Sequence, residues 1–301
     1  MHMQAELVLD ARCGTGESPV WRADEQALYW VDIPGRQLHR WSAADAVHTT
    51  WRSEEMPACI APRAGRPGEW IAGMESGLFA LAPQADGTLA RTLLAHAAHA
   101  APDMRFNDGR CDRQGRFWAG TMRMDMAAAQ RVGRVYRYQA DVNAEAALRL
   151  HFDDMIVPNG MAFSPDGRTM YLSDSHPSVQ TVWAFDYDID SGTPHHRRVF
   201  VDMVALPGRP DGAAVDVDGC YWICGNDAGL VHRFTPEGRL DRSLAVPVKK
   251  PAMCAFGGAQ LDTLYVTSIR PGGDLSDQPL AGGVFALRPG VQGLPEPACH
   301  F

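Results

Sequence analysis

The hydrophobic positions of this chain fall into short apolar or alternating runs separated by turn residues, and the clearest group spans Val157 to Tyr187. Met161-Ala162-Phe163 reads as a strand. Ser164-Pro165-Asp166-Gly167 reads as a tight turn, in which Pro sets φ and Gly accepts φ > 0. Met170 to Asp174 and Thr181 to Tyr187 read as two further strands. The middle phrase recurs six times, as LYWVDI from Leu28, EWIAGM from Glu69, RFWAGT from Arg116, MYLSDS from Met170, YWICGN from Tyr221 and LYVTSI from Leu264. Each recurrence is followed by another alternating run, such as QLHRW from Gln37 or GVFAL from Gly283.

Repeated strand units with aromatic residues at even spacing and few helix signals predict radial blades. The expected fold is all-β: a six-bladed β-propeller of four-stranded antiparallel blades around a central channel, spanning 1–301 as one domain. The last blade lacks one strand, which Glu6 to Asp10 can supply from the N-terminus, so that no sheet edge is left open. Asn107, Asn159 and Asp211 follow one another at intervals of 52 residues, each next to the start of an inner strand. Glu17 takes the same place in the first blade. Inner strands of a propeller start at one end of the channel, so these four residues are expected to converge.

Composition narrows the function. The net charge of −8 and the absence of clustered Lys and Arg leave no footprint for nucleic acid or an anionic membrane. No apolar run is long enough to span a bilayer. The opening Met-His-Met-Gln-Ala-Glu has neither the basic nor the apolar segment of a secretory leader. The seven cysteines show no paired zinc spacing and read as buried, reduced thiols. These features together predict a cytoplasmic protein.

Two carboxylates with amide oxygens, and no His or Cys among them, form a hard oxygen set suited to one divalent cation. Ca, Mg, Mn and Zn all remain open, with hardness favouring the first three. Without a cation, two buried carboxylates would repel and one would protonate. His195-His196, between Thr193-Pro194 and Arg197-Arg198, reads as a solvated turn rather than a metal site. Thr121 to Gly133 interrupts the blade rhythm as a surface insertion, in which Met122, Met124 and Met126 can act as an apolar lid.

The phrases GESPVW (16–21), YWVDIPGRQLHRW (29–41), RFNDGRCDRQGRFWAGTM (105–122), PNGMAFSPDGRTMYLSDS (158–175) and PDGAAVDVDGCYW (210–222) resemble the SMP-30/gluconolactonase/regucalcin family nearly end to end. The resemblance implies a metal-dependent sugar lactonase that opens an aldono-1,4- or 1,5-lactone to its acid. It implies Glu17, Asn159 and Asp211 as metal ligands, Asp211 also as the acid/base, and Arg105 and Asn107 as sugar-binding residues. One departure stands out. Regucalcin-type members place a substrate-contacting Glu after GTM, where this chain has Arg123-Met124-Asp125, so its sugar preference is expected to differ. No GxSxG motif supports a serine nucleophile. The alternatives are esterase or phosphotriesterase chemistry at the same metal, and a non-enzymatic calcium-binding protein.

Overall fold

A strand covered by neighbouring sheets on both faces can be apolar throughout, and the gradient from such strands to exposed ones defines each blade of this protein. The computed structural model describes residues 5–140 and 142–300, so the first four residues lie outside it. The chain begins with β1 (Glu6–Leu9) and then forms blade 1 from β2 (Gly16–Arg22), β3 (Ala27–Asp32), β4 (Gln37–Ser42) and β5 (His48–Arg52). Blade 2 comprises β6 (Cys59–Pro62), β7 (Trp70–Gly73), β8 (Gly77–Pro83) and β9 (Leu89–His96). Blade 3 comprises β10 (Met104–Cys111), β11 (Phe117–Arg123), β12 (Gly133–Tyr138) and β13 (Leu148–Met155). Blade 4 comprises β14 (Pro158–Phe163), β15 (Thr169–Asp174), β16 (Thr181–Asp188) and β17 (Thr193–Asp202). Blade 5 comprises β18 (Arg209–Val215), β19 (Tyr221–Asn226), β20 (Leu230–Phe234) and β21 (Leu240–Ala245). Blade 6 joins β22 (Pro251–Gly257), β23 (Thr263–Ser268) and β24 (Val284–Leu287) to β1, with Leu7 opposite Phe285.

The fold is therefore a six-bladed β-propeller, closed by the N-terminal strand as its alternation predicts. The six recurring phrases are the second strands, and β3, β7, β19 and β23 are buried at every position. Trp30, Trp70, Trp118 and Trp222 come from this layer and are fully buried. Burying side chains of that size stabilises by about 2–3 kcal/mol each relative to exposure. The outermost strands, such as β17 and β21, are mostly exposed.

The inner strands carry the feature that shapes the channel. A β-bulge interrupts the pairing of first and second strands between Glu17 and Val20, Phe106 and Gly109, Asn159 and Ala162, Pro210 and Ala213, and Pro251 and Cys254. Blade 2 pairs without a shift, and neither it nor blade 6 contributes a predicted ring residue. A bulge places two residues opposite one and re-aims a side chain off the regular pleat. The ring residues thus lie inside their strands, at or beside the bulge, rather than just ahead of them as the sequence suggests.

The C-terminal stretch crosses the other end of the channel. Gly293 N donates to Leu261 O (2.8 Å), Val217 N to Gln292 O (3.0 Å), His300 N to Gly115 O (3.0 Å) and Cys299 N to Pro62 O (2.7 Å). Glu296 reaches inward to pair with the buried Arg110 at 3.4 Å. This stretch covers the end remote from Glu17 and Asp211, which leaves access from the ring end.

Candidate active site

Each ring residue is presented by its bulge. In blade 4 the bulge places Gly160 at φ 59°, where a side chain would be strained and a Cβ would lie 2.6 Å from the Tyr221 hydroxyl. That hydroxyl donates to Gly160 O at 2.6 Å and ties blade 5 to the turn beside Asn159. In blade 5 Gly212 passes so close to Met253 of blade 6 that a Cβ would sit 2.3 Å from its side chain. Only glycine lets the backbone next to Asp211 approach this closely.

Glu17, Asn159 and Asp211 are all buried, Asn159 and Asp211 in direct contact and Glu17 within Coulombic reach of Asp211. Asn159 Nδ2 donates to Asp211 Oδ1 at 2.5 Å, and Asn159 Oδ1 accepts from Gly160 N at 3.0 Å. The Asn159 amide therefore turns its NH₂ toward the carboxylate, and rotation about its terminal torsion would present the oxygen instead. Asp211 Oδ2 accepts a second amide bond, from Asn226 Nδ2 at 2.5 Å. Glu17 keeps one bond, from Ser18 N at 3.1 Å. Arg105 Nη1 donates to Asn107 Oδ1 (2.9 Å) and to Phe106 O (2.7 Å), while Asn107 Nδ2 donates to Pro158 O (3.0 Å). Arg105 and Asn107 thus form one clamp bridging blades 3 and 4 at the same end.

Two residues join the ring that sequence reasoning did not single out. Asp108, inside the blade 3 bulge, accepts from Met161 N at 2.8 Å through Oδ2, while its buried Oδ1 has no hydrogen-bond partner. Asn226 is the last residue of the recurring phrase in blade 5, one place beyond the position that holds Asp32 in blade 1 and Asp174 in blade 4, where blade 5 has Gly225. Those aspartates accept backbone N–H groups, as in Gly14 and Thr15 to Asp32 or Ile156 and Val157 to Asp174. Asn226 donates to a carboxylate instead, and since its place in the phrase holds Ile33 in blade 1 and Ser175 in blade 4, no repeated residue type marked it in the sequence. Removing the donor with Asn226→Ala should lower kcat about tenfold and leave KM and the folded content, read by circular dichroism, nearly unchanged, since a hydrogen bond to a charged group contributes about 1.5–3 kcal/mol.

The electrostatics are those of crowded negative charge. Burial pushes the Glu17 carboxyl well above its ordinary range, and Asp211 and Asp108 push it further. Burial also raises Asp211 to about 6, against the lowering effect of the Asn226 amide, Arg209 and Asn159. Asp108 is raised by burial as well. Burial lowers Arg105, and Glu17 is the first of the carboxylates that offset this. Three carboxylates in mutual Coulombic reach, one oxygen without a partner and flanking amides make a hard oxygen set short of positive charge. That set fits a divalent cation.

Two other expectations change. His195 and His196 lie in β17 rather than in a turn, and a bulge there gives His196 a φ of 50°. Their ring nitrogens and the Asp186 carboxylate fall within 4.8 Å of one another, although Arg198 also holds Asp186, at 2.8 Å. In the insertion, Met122 belongs to β11 and is buried against Ile156 and Val157. Of the three methionines Met124 and Met126 are exposed, beside a 3-10 turn at Met126–Ala128 that His176 Nε2 meets at Met126 O (3.1 Å). All seven cysteines are buried and none is in a disulfide, and no helix among the described residues is long and apolar enough to cross a membrane.

Residues 15–270 match the family model described as the SMP-30/Gluconolactonase/LRE-like region. The chain is 40% identical to 6-deoxy-6-sulfogluconolactonase of Pseudomonas putida over 285 residues, covering 94% of each chain. It is 34% identical to regucalcin of Danio rerio over 299 residues, covering 97% of each. A crystal structure of regucalcin from Agrobacterium tumefaciens, described as a calcium-binding protein, superposes with a TM-score of 0.89 at 27% identity, covering 100% of this chain and 99% of that one. Blades, ring and relatives agree, and the chain belongs to the SMP-30/gluconolactonase family.

Proposed function

We propose that this protein is a metal-dependent sugar lactonase that hydrolyses an aldono-1,4- or 1,5-lactone to the aldonic acid. The observation that carries the reading is the ring of Glu17, Asn159 and Asp211, buried and short of positive charge in a chain whose relatives include a named sugar lactonase. Glu17, Asn159 and Asp211 would hold the cation, with the Asn159 amide turned to offer its oxygen. A divalent cation bound there supplies Lewis acidity toward the lactone carbonyl.

The remaining chemistry belongs to the chain. Asp211 takes a proton from the attacking water as the water oxygen bonds to the carbonyl carbon. The ring C–O bond then breaks, and the same proton passes to the departing ring oxygen, giving the hydroxy acid. Asn226 and Asn159 fix the plane of the Asp211 carboxylate through this exchange. Arg105 and Asn107 orient ring oxygen and hydroxyls, which converts binding into placement at the reacting carbon. Burial of the ring strengthens each of these interactions.

The test is a panel of pentono- and hexonolactones followed by pH-stat on chelated protein and on protein reloaded with Ca²⁺, Mg²⁺, Mn²⁺ or Zn²⁺ in turn. Chelation should abolish turnover and at least one ion should restore it. Unchanged turnover in the stripped protein would overturn the reading, and tight cation binding with no turnover of any lactone would favour a metal-binding protein instead.

A further inference from the structure

The rim above the ring carries a second pattern. Inner strand β18 opens with Arg209-Pro210-Asp211, Lys250 immediately precedes Pro251-Ala252 at the start of β22, and the bulge falls at the same point in both. Arg209 and Lys250 are thus structural equivalents, each two residues before the ring position. Arg209 Nη2 reaches Asn226 Oδ1 at 3.5 Å, and Asn226 Nδ2 donates to Asp211, so Arg209 stands beside the ring toward the mouth, two residues or about 7 Å of strand from Asp211 at ~3.3–3.4 Å per residue.

These two cations share a single carboxylate. Arg209 Nε pairs with Asp227 Oδ2 at 2.6 Å and Lys250 Nζ pairs with Asp227 Oδ1. Arg209 Nη1 also donates to Ser175 O of blade 4 at 3.1 Å. On the rim over blades 5 and 6 two cations thus share one carboxylate, in a chain whose net charge is −8. The neighbouring Lys249 is balanced by its own partner, Asp277. Both members of the pair are partly open to solvent, at 18% and 27% of their side-chain surface. The separation from ring to rim is about the span of one six-carbon lactone from its carbonyl to the substituent on its sixth carbon.

We propose that Arg209 and Lys250 form a specificity subsite for an anionic group, a sulfonate or a phosphate, on the sixth carbon of a hexonolactone whose carbonyl faces Asp211. The anion takes over from Asp227 as the partner of both cations, and a terminal hydroxyl in the same place leaves that ion pair as it is. The proposal rests on the lactonase reading, so its test carries a readout independent of turnover.

The experiment compares 6-deoxy-6-sulfogluconolactone, 6-phosphogluconolactone and gluconolactone as substrates, and the corresponding acids as ligands by calorimetry. At least one charged lactone should exceed the neutral one in kcat/KM by tenfold or more, and the better of the two identifies the anion. Lys250→Met should shrink that ratio about tenfold, through the KM of the charged lactone. Asp227→Asn removes the competing carboxylate and should preserve or raise the ratio, which separates a charge effect from damage to the rim. A ratio near one in the unaltered protein, or a ratio that ignores both substitutions, overturns the proposal. If the charged acids bind preferentially but no lactone is opened, the subsite stands and the lactonase reading falls; if every lactone turns over alike, the reverse holds.

Discussion

Asp211→Asn is expected to lower kcat for lactone opening at least a thousandfold while the protein stays folded. General-base catalysis contributes about 10²–10⁴ to rate, and this substitution also removes one of two carboxylates expected to hold the cation. The fold should survive because Asp211 stabilises nothing as an ion. It lies among Glu17 and Asp108, and its neutral amide isostere keeps the volume while relieving repulsion. One of its two bonds, from Asn159 or Asn226, can persist to the new carbonyl oxygen. Stopped assays with far-UV circular dichroism and a cation titration by calorimetry separate the effects. Activity within tenfold of the parent would remove Asp211 from the chemistry, and a lost spectrum would show that the ring supports the fold instead.

The second large effect is on stability, and it appears in metal-free protein. A carboxyl whose pKa is raised on folding binds more protons in the native state than in the unfolded one, so its contribution to stability is present at low pH and is lost as pH rises through the folded value. For Asp211 that window runs from its ordinary 3.8 to about 6, and a shift of that size is worth on the order of 3 kcal/mol. Glu17 acts in the same direction. Metal-free parent protein should therefore lose stability relative to metal-free Asp211→Asn as pH rises from about 4 to 7. Cation should restore the parent most strongly above pH 6, where both carboxylates are ionised. Urea midpoints of the two proteins across this range measure the difference directly. A constant difference from pH 4 to pH 7 would mean that Asp211 ionises freely in the folded protein.

Much of this was legible in the linear order of residues. A propeller blade packs only on its neighbours, so its strand phrases must repeat. Counting phrases such as LYWVDI, RFWAGT and YWICGN was enough to give the number of blades. The closing strand could be read for the same reason, since Glu6 to Leu9 alternates like the outer strand that blade 6 lacks. His195 and His196 show where such reading stops. Their polar flanks suggest a turn, but pairing with β16 draws them into a strand, and a bulge then turns both rings toward Asp186. Met122 looked like part of a lid because its spacing matches that of Met124 and Met126, yet β11 extends far enough to bury it.

By itself, then, the sequence determined the periodic features: six blades, their order, the closure, and the chemical types placed at the ring. Each follows from short-range rules, namely alternation, turn residues and repetition. Only the tertiary structure decided what depends on the meeting of distant segments. The bulges at Glu17 and Asp211, the Asn226 amide on Asp211, the partnerless oxygen of Asp108, the sharing of Asp227 by Arg209 and Lys250, and the C-terminal stretch across the far end all join residues from separate elements. No local pattern encodes these pairings, because a hydrogen bond or an ion pair depends on where two groups stand in space and not on how far apart they lie along the chain.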